Sequence, residues 1–117
     1  MPSNQSPLNQ SLSEYPKTRI IVVIPTYNEA GNIEKIVEEI LKQPVAVDLL
    51  IVDDNSPDGT GQIADTLAAS PQSAGRVHVL HRVAKEGLGR AYLAGFAWAL
   101  DAGYDAVVEM DADLSHD

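Results

Sequence analysis

From Ile20 onward, apolar residues along the chain alternate between two kinds of pattern. Residues 20–24 (IIVVI) form an unbroken β-branched run, too short for a helix and suited to a strand buried on both faces. Pro25 is expected to end it. Ile33, Ile36, Val37, Ile40 and Leu41 then recur at helical spacing, with Glu34, Lys35, Glu38, Glu39 and Lys42 between them. This predicts an amphipathic helix, with Asn28 as its N-cap and Pro44 just beyond its end. Residues 49–52 (LLIV) predict a second strand. Asp58, Gly59 and Thr60 open a second helix carrying Ile63, Leu67 and Ala68. Residues 77–80 (VHVL) read as a third strand. The third helix, over about residues 87–102, holds Leu88, Ala91, Tyr92, Leu93, Phe96, Ala97 and Leu100. It is apolar nearly all round and is expected to be well buried, with Gly103 as its C′ stop. Residues 106–110 (AVVEM) predict the fourth strand.

Strands alternating with helices through short links predict an α/β domain: a parallel sheet with right-handed crossovers and helices packed on it. No internal repeat is visible. Residues 1–18 are rich in Ser, Pro, Asn and Gln and poor in large apolar side chains, the composition of a disordered tail. The folded unit is therefore expected over residues 19–117, a single small domain.

Composition narrows the function. An apolar content of 44% allows a core. With 17 acidic residues against 8 basic, the net charge is −9, which argues against a general nucleic-acid binder. It leaves room for a phosphorylated ligand if a cation mediates. The chain has no cysteine, so disulfides and thiolate metal sites are excluded, as befits a cytosolic protein. No run reaches the roughly 20 apolar residues of a membrane span, and the N-terminus lacks a signal-peptide layout.

Ligands of open parallel sheets bind beyond the carboxyl ends of the strands, so the residues at those ends are the candidates for chemistry. Asp53, Asp54, Asp111 and Asp113 should lie along one edge. Gathered carboxylates repel, and a hard divalent cation, Mg²⁺ or Mn²⁺, relieves this through one or two carboxylates plus substrate phosphates. Asp113, with Asp111 beside it, is the expected metal site; the competing view is a solvated turn. In PTYNE, the Tyr27 ring can stack on a nucleobase and Glu29 can accept from base or ribose. Alternatively, Tyr27 merely covers the core edge. Asp53 and Asp54 point in opposite directions if strand geometry persists, so only one should face a ligand. Asp58 is read as a helix cap. KEGLGRAY lacks the third glycine of the dinucleotide fingerprint and follows the third strand rather than the first. Gly87 and Gly89 are read as allowing close approach of the third helix, and Lys85 and Arg90 as phosphate contacts or solvated cations. His78, His81 and His116 are not spaced as a zinc site.

Taken together, VVIPTYNEAGNI, LLIVDDNSPDGT, KEGLGRAYLAGF and VVEMDADLSHD resemble the family-2 glycosyltransferases of GT-A fold. The resemblance runs in unbroken order from residue 19 to 117 and is specific to the dolichol-phosphate (polyprenol-phosphate) mannosyltransferase branch. It implies that Pro25, Tyr27 and Glu29 line a nucleotide pocket with Val52 and Asp54. It further implies that Asp111, Ala112 and Asp113 form the metal and diphosphate motif, with Ser115 beside it. The implied reaction is inverting transfer of mannose from GDP-mannose to a polyprenyl or dolichyl monophosphate, dependent on Mg²⁺ or Mn²⁺, at the cytoplasmic face of a membrane. Transfer of glucose or another sugar to the same lipid, another family-2 glycosyltransferase, and a non-catalytic nucleotide-sugar-binding module or inactive remnant are the alternatives. Family members continue well past the Asp-x-Asp motif with acceptor-binding and basic residues. The 117 residues are therefore expected to be the donor-binding part, truncated after the fourth strand and inactive alone, with any peripheral membrane contact made by the missing C-terminal region.

Overall fold

The computed structural model describes residues 18–112. Four strands, β1 (Ile20–Thr26), β2 (Asp48–Asp53), β3 (Val77–His81) and β4 (Ala106–Glu109), form one parallel sheet in the order β3-β2-β1-β4. Three helices connect them: α1 (Ile33–Leu41), α2 (Thr60–Ala69) and α3 (Leu88–Asp101). A single 3₁₀ turn, Pro71–Ser73, follows α2. The tail expected over residues 1–18 lies outside the described residues up to position 17.

The order is set by burial. Val22, Ile24, Leu49, Ile51 and Val77 face α1 and α2, whereas Ile21, Val23, Leu50 and Val52 face α3. Because successive strand residues alternate between faces, both faces of the β-branched runs are covered. The chain builds β1, β2 and β3 outward in one direction, then crosses over through α3 to place β4 on the other side of β1. The switch point of the sheet thus lies between β1 and β4, where the strand ends of such folds leave a crevice.

Several local expectations are corrected. β1 does not stop at Pro25 but pairs with β2 through Thr26. Thr26 O accepts from Asp54 N at 3.1 Å, and Val23 O accepts from Met110 N at 3.0 Å on the opposite side. By alternation, the missing Pro25 N–H belongs to the β4 side, where pairing has already ended at Val23↔Glu109. The proline therefore costs no ladder bond. Met110, expected in the fourth strand, lies just beyond it. Asn28 is not a helix cap: it adopts a left-handed conformation, φ 57°, in the loop before α1. Asn32 takes the cap position instead, after a turn in which Asn32 N and Ile33 N both donate to Glu29 O at 2.9 Å. Gly103, at φ 89°, does occupy the left-handed position after α3.

The largest correction concerns α3. Only Ala91, Gly95 and Ala99 are buried, a stripe of small residues four apart. Leu93 and Leu100 are 66% and 70% exposed. The close approach expected at Gly87 and Gly89 occurs at Gly95, where an added Cβ would lie 2.6 Å from Val23 Cγ1 and 3.2 Å from Val52 Cγ2. Gly87 and Gly89 have open space around that position. A helix seated on backbone and small side chains sits close to the sheet and sends its large residues to the flanks. Among the described residues no second helix packs beside α3, so its outer apolar face stays uncovered.

Candidate functional site

Two adjacent aspartates at the end of β2 have different fates. Asp53 faces the α1–α2 side and is 2% exposed. Its Oδ1 accepts from Thr26 Oγ1 at 2.7 Å and Ser56 Oγ at 2.6 Å, and its Oδ2 accepts from Ser56 N at 3.0 Å. Its acceptors are spent on tying β1 to the β2–α2 loop. Asp54 turns to the α3 side. There Arg82 Nη1 donates to Oδ1 at 3.1 Å, while Arg82 Nη2 donates to Glu86 at 2.8 Å. Alternation along β2 thus decides which aspartate meets the cleft.

The loops after β1 and β2 are fastened to each other. Asn28 N donates to Ser56 Oγ at 3.0 Å, Glu29 N to Thr60 Oγ1 at 2.9 Å, and Ala30 N to Asp58 Oδ2 at 3.0 Å. Asp58 Oδ1 accepts from the Thr60 N–H at 3.0 Å and from the Thr60 hydroxyl. The Thr60 hydroxyl is the main reason the Asp58 carboxyl lies below its ordinary range; it outweighs desolvation, and the Ala30 and Thr60 amides add to it. Asp58 therefore has the structural role read from the sequence, although it braces two loops rather than simply capping α2. These bonds fix where Tyr27 and Glu29 stand, and Asn32 Nδ2 holds Glu29 Oε1 at 3.1 Å.

Above the switch point is a cleft of about 420 Å³, within the size range of small-molecule sites. One wall is Pro25, Thr26, Tyr27 and Glu29, with Asp54 behind them. The other is Lys85, Gly87, Leu88 and Ala91 at the start of α3, and Asp111 with Ala112 closes the β4 end. Lys85 Nζ lies 4.6 Å from the Tyr27 ring centroid, over its face. Tyr92 donates its hydroxyl to Asp111 Oδ1 at 3.2 Å. Burial, then the Asp111 bond and charge and the Glu109 charge, raise the Tyr92 phenol to about 12, so it remains a donor at any physiological pH.

Pro25, Tyr27, Glu29, Asp54, Asp111 and Ala112, expected at the site from the sequence, therefore share one cleft. Val52 does not reach it. Its side chain is fully buried against α3, because alternation along β2 turns it into the core before the strand ends. Asp113 and Ser115 lie outside the described residues. Thr26, Leu88, Ala91, Arg82 and Tyr92 had no place in the sequence-based site. Arg82 and Tyr92 act on the site through hydrogen bonds across elements, to Asp54 and Asp111, which no local motif announces. Arg90 does not line the cleft, and His81 pairs instead with Asp65 at 2.8 Å. No three His, Asp or Glu side chains gather to hold a metal among the described residues. The donor set still fits Mg²⁺ or Mn²⁺. These ions are held by one or two carboxylates completed by substrate phosphate and water, and Asp111 is an exposed carboxylate with no cationic partner among the described residues. No helix among the described residues is long and apolar enough to cross a membrane.

The chain is 54% identical over 101 residues to a polyprenol monophosphomannose synthase of Mycolicibacterium smegmatis. It is 53% identical over 98 residues to an undecaprenyl-phosphate mannosyltransferase of Micrococcus luteus. The aligned parts are 86% and 84% of this chain but 37% and 39% of those proteins, so the chain spans well under half of their length. A dolichol-phosphate mannosyltransferase of Pyrococcus furiosus is 38% identical over 100 residues, 84% of this chain and 26% of that protein. Among solved structures, a mannosyltransferase from Pyrobaculum calidifontis in complex with GDP-Man and Mn²⁺ superposes with a TM-score of 0.68 at 22% identity. That superposition covers 89% of this chain and 32% of the other, and it identifies the sheet and its helices as the GT-A-like α/β fold. The sequence model of Glycosyl transferase family 2 matches residues 21–117, and the chain accordingly belongs to that family.

Proposed function

We propose that this chain is the donor-binding part of an enzyme that transfers mannose from GDP-mannose to a polyprenyl monophosphate. One observation carries the reading. Acceptors suited to a nucleoside, Glu29 and Asp54, and a carboxylate suited to a metal-bound diphosphate, Asp111, line one cleft at the switch point, the first two following β1 and β2 and the third following β4. A nucleoside diphosphate carries the matching groups along its length: a neutral, donor-bearing base and ribose at one end, and an anionic diphosphate at the other. Tyr27, in the same cleft, offers a ring face for stacking. The names of the relatives, polyprenol- and dolichol-phosphate mannosyltransferases, support the sugar and the lipid.

The chemistry agrees with the residues. The acceptor is itself a phosphate monoester, with a second pKa of about 6. It is largely ionised at neutral pH, so no strong general base is needed. The barrier lies in the leaving diphosphate, whose growing negative charge has to be neutralised. Asp111, with Asp113 as the resemblance implies, would hold Mg²⁺ or Mn²⁺, and the cation would supply that neutralisation. Asp54, kept against Arg82, and Glu29, kept against Asn32, hold the nucleoside while the sugar end is left free to react. A lipid acceptor places the whole enzyme at a membrane surface, on the cytoplasmic side where this reading puts its nucleotide sugar.

Calorimetric titration with GDP tests the reading. Affinity should rise on adding Mg²⁺ or Mn²⁺, and Asp111→Ala should remove most of that rise. Equal affinity in EDTA overturns the metal-bound diphosphate. Tighter binding of UDP-glucose than of GDP-mannose would transfer the assignment to a glucosyl enzyme.

A further inference from the structure

We infer that Tyr92 is a positioning residue for Asp111: it ties one carboxylate oxygen and so aims the other at the diphosphate-bound cation. This rests on the reading of the site given above. β4 is the outermost strand of the described sheet, paired only with β1. The last backbone bond that holds it is Met110 N to Val23 O. Asp111 therefore follows a strand end with no further ladder bond among the described residues, and its side chain is exposed although Ala112 beside it is buried. Its side-chain partner among the described residues is the Tyr92 hydroxyl, at 3.2 Å.

Tyr92 is in turn well fixed. It stands one position after Ala91 in α3, which is seated on β1 and β2 through Gly95. Its ring stacks on Phe96, with centroids 6.1 Å apart and planes 28° from parallel. The phenol links the helix to an exposed carboxylate. A carboxylate with both oxygens free can turn about its terminal bond, which is soft. With Oδ1 accepting from Tyr92, Oδ2 is the oxygen left for a cation. Groups around a metal that orient its ligands typically change metal affinity when removed.

The test is a two-by-two comparison of wild type, Tyr92→Phe, Asp111→Ala and the double variant, each titrated with GDP in Mn²⁺ and in EDTA. Free Mn²⁺ is followed by electron paramagnetic resonance. Phe keeps the ring and its stacking and removes only the donor. Tyr92→Phe should weaken GDP binding in Mn²⁺ by about 3- to 10-fold and raise free Mn²⁺, with affinity in EDTA and the melting temperature of the free protein unchanged. In the Asp111→Ala background it should have no further effect, the non-additivity expected of groups acting as one unit. Phe96→Leu, which loosens the ring but keeps the hydroxyl, should give a smaller loss in the same direction. A Tyr92→Phe protein with wild-type Mn²⁺-dependent affinity overturns the inference alone. So does a loss that appears equally in EDTA or persists without Asp111. A wild type with no metal dependence overturns the reading of the site and this inference with it.

Discussion

The two halves of the strand-end surface are built differently. At the β1–β2 half, nearly every polar side chain is engaged within the protein. Asp53 accepts from Thr26 and Ser56, and Asp58 accepts from Ala30 and Thr60. At the β3–β4 half, residues 83–90 are exposed throughout, and Asp111 has one tyrosine for company. The first half is a frame, and the second is a more exposed set of groups with fewer bonds to the described residues. A buried carboxylate with its acceptors filled stabilises the fold. An exposed one with its acceptors open is available for chemistry. Aspartates that look alike in the sequence are therefore separated by how many of their acceptors the protein itself consumes.

The sharpest way to break this contrast is Asp53→Ala. It strands the buried Thr26 hydroxyl and the Ser56 amide, and unsatisfied buried groups cost about 1–3 kcal/mol each. Urea unfolding should show a loss of about 2–4 kcal/mol. A loss under about 1 kcal/mol would show that the frame does not depend on this carboxylate. Next in size is Gly95→Ala, whose Cβ meets the Val23 side chain. Overpacking of this kind costs about 1–3 kcal/mol, and lifting α3 should also weaken GDP binding, because Leu88 and Ala91 line the cleft.

Asp54→Ala should act on the ligand more than Asp53→Ala does. Loss of one acceptor against an uncharged donor is worth about 0.5–1.5 kcal/mol of GDP affinity. If Asp53→Ala lost GDP affinity while Asp54→Ala kept it, the two strand-end faces would be assigned the wrong way round. The pH dependence of stability is a finer probe of the frame. The Asp58 carboxyl titrates below its ordinary value in the folded protein, so the ionised form is favoured by folding. That contribution is fully present above the unfolded-state pKa and is lost as pH falls through the lower folded value. The melting temperature of wild type should therefore fall more than that of Asp58→Asn between about pH 5 and about pH 2, and equal slopes would contradict it. The smallest effect is expected at Leu93→Gln. This side chain is mostly exposed, and stability should move by no more than about 0.5 kcal/mol. A large loss would mean that the outer face of α3 is covered after all.

Much of this was legible in the residues. The β-branched runs gave four strands, the spacing of Ile33, Ile36, Val37 and Ile40 gave the buried face of α1, and Gly103 marked the end of α3. These are local properties: periodicity, branching at Cβ and freedom at φ operate over a few residues. Reading strand ends, once a parallel sheet was inferred, put Asp53, Asp54 and Asp111 along one edge with Tyr27 and Glu29 in a neighbouring loop, and the family resemblance implied Asp54 rather than Asp53. Other features depended on which element lies beside which. An apolar helix such as α3 signals only that its residues can be buried, not that a partner exists to bury them, so Leu93 and Leu100 were misjudged. Gly95 is the contact glycine because Val23 and Val52 come to it from strands far away in the chain. Pro25 sits inside β1 because its missing donor falls where β4 pairing has stopped. Asp53 and Asp54 carry the same side chain; strand alternation says only that they diverge, and only the family resemblance pointed to Asp54. The packing of α3 on one face of the sheet decided which of them opens on the cleft, because a carboxylate takes its role from the donors that the fold brings within hydrogen-bond reach.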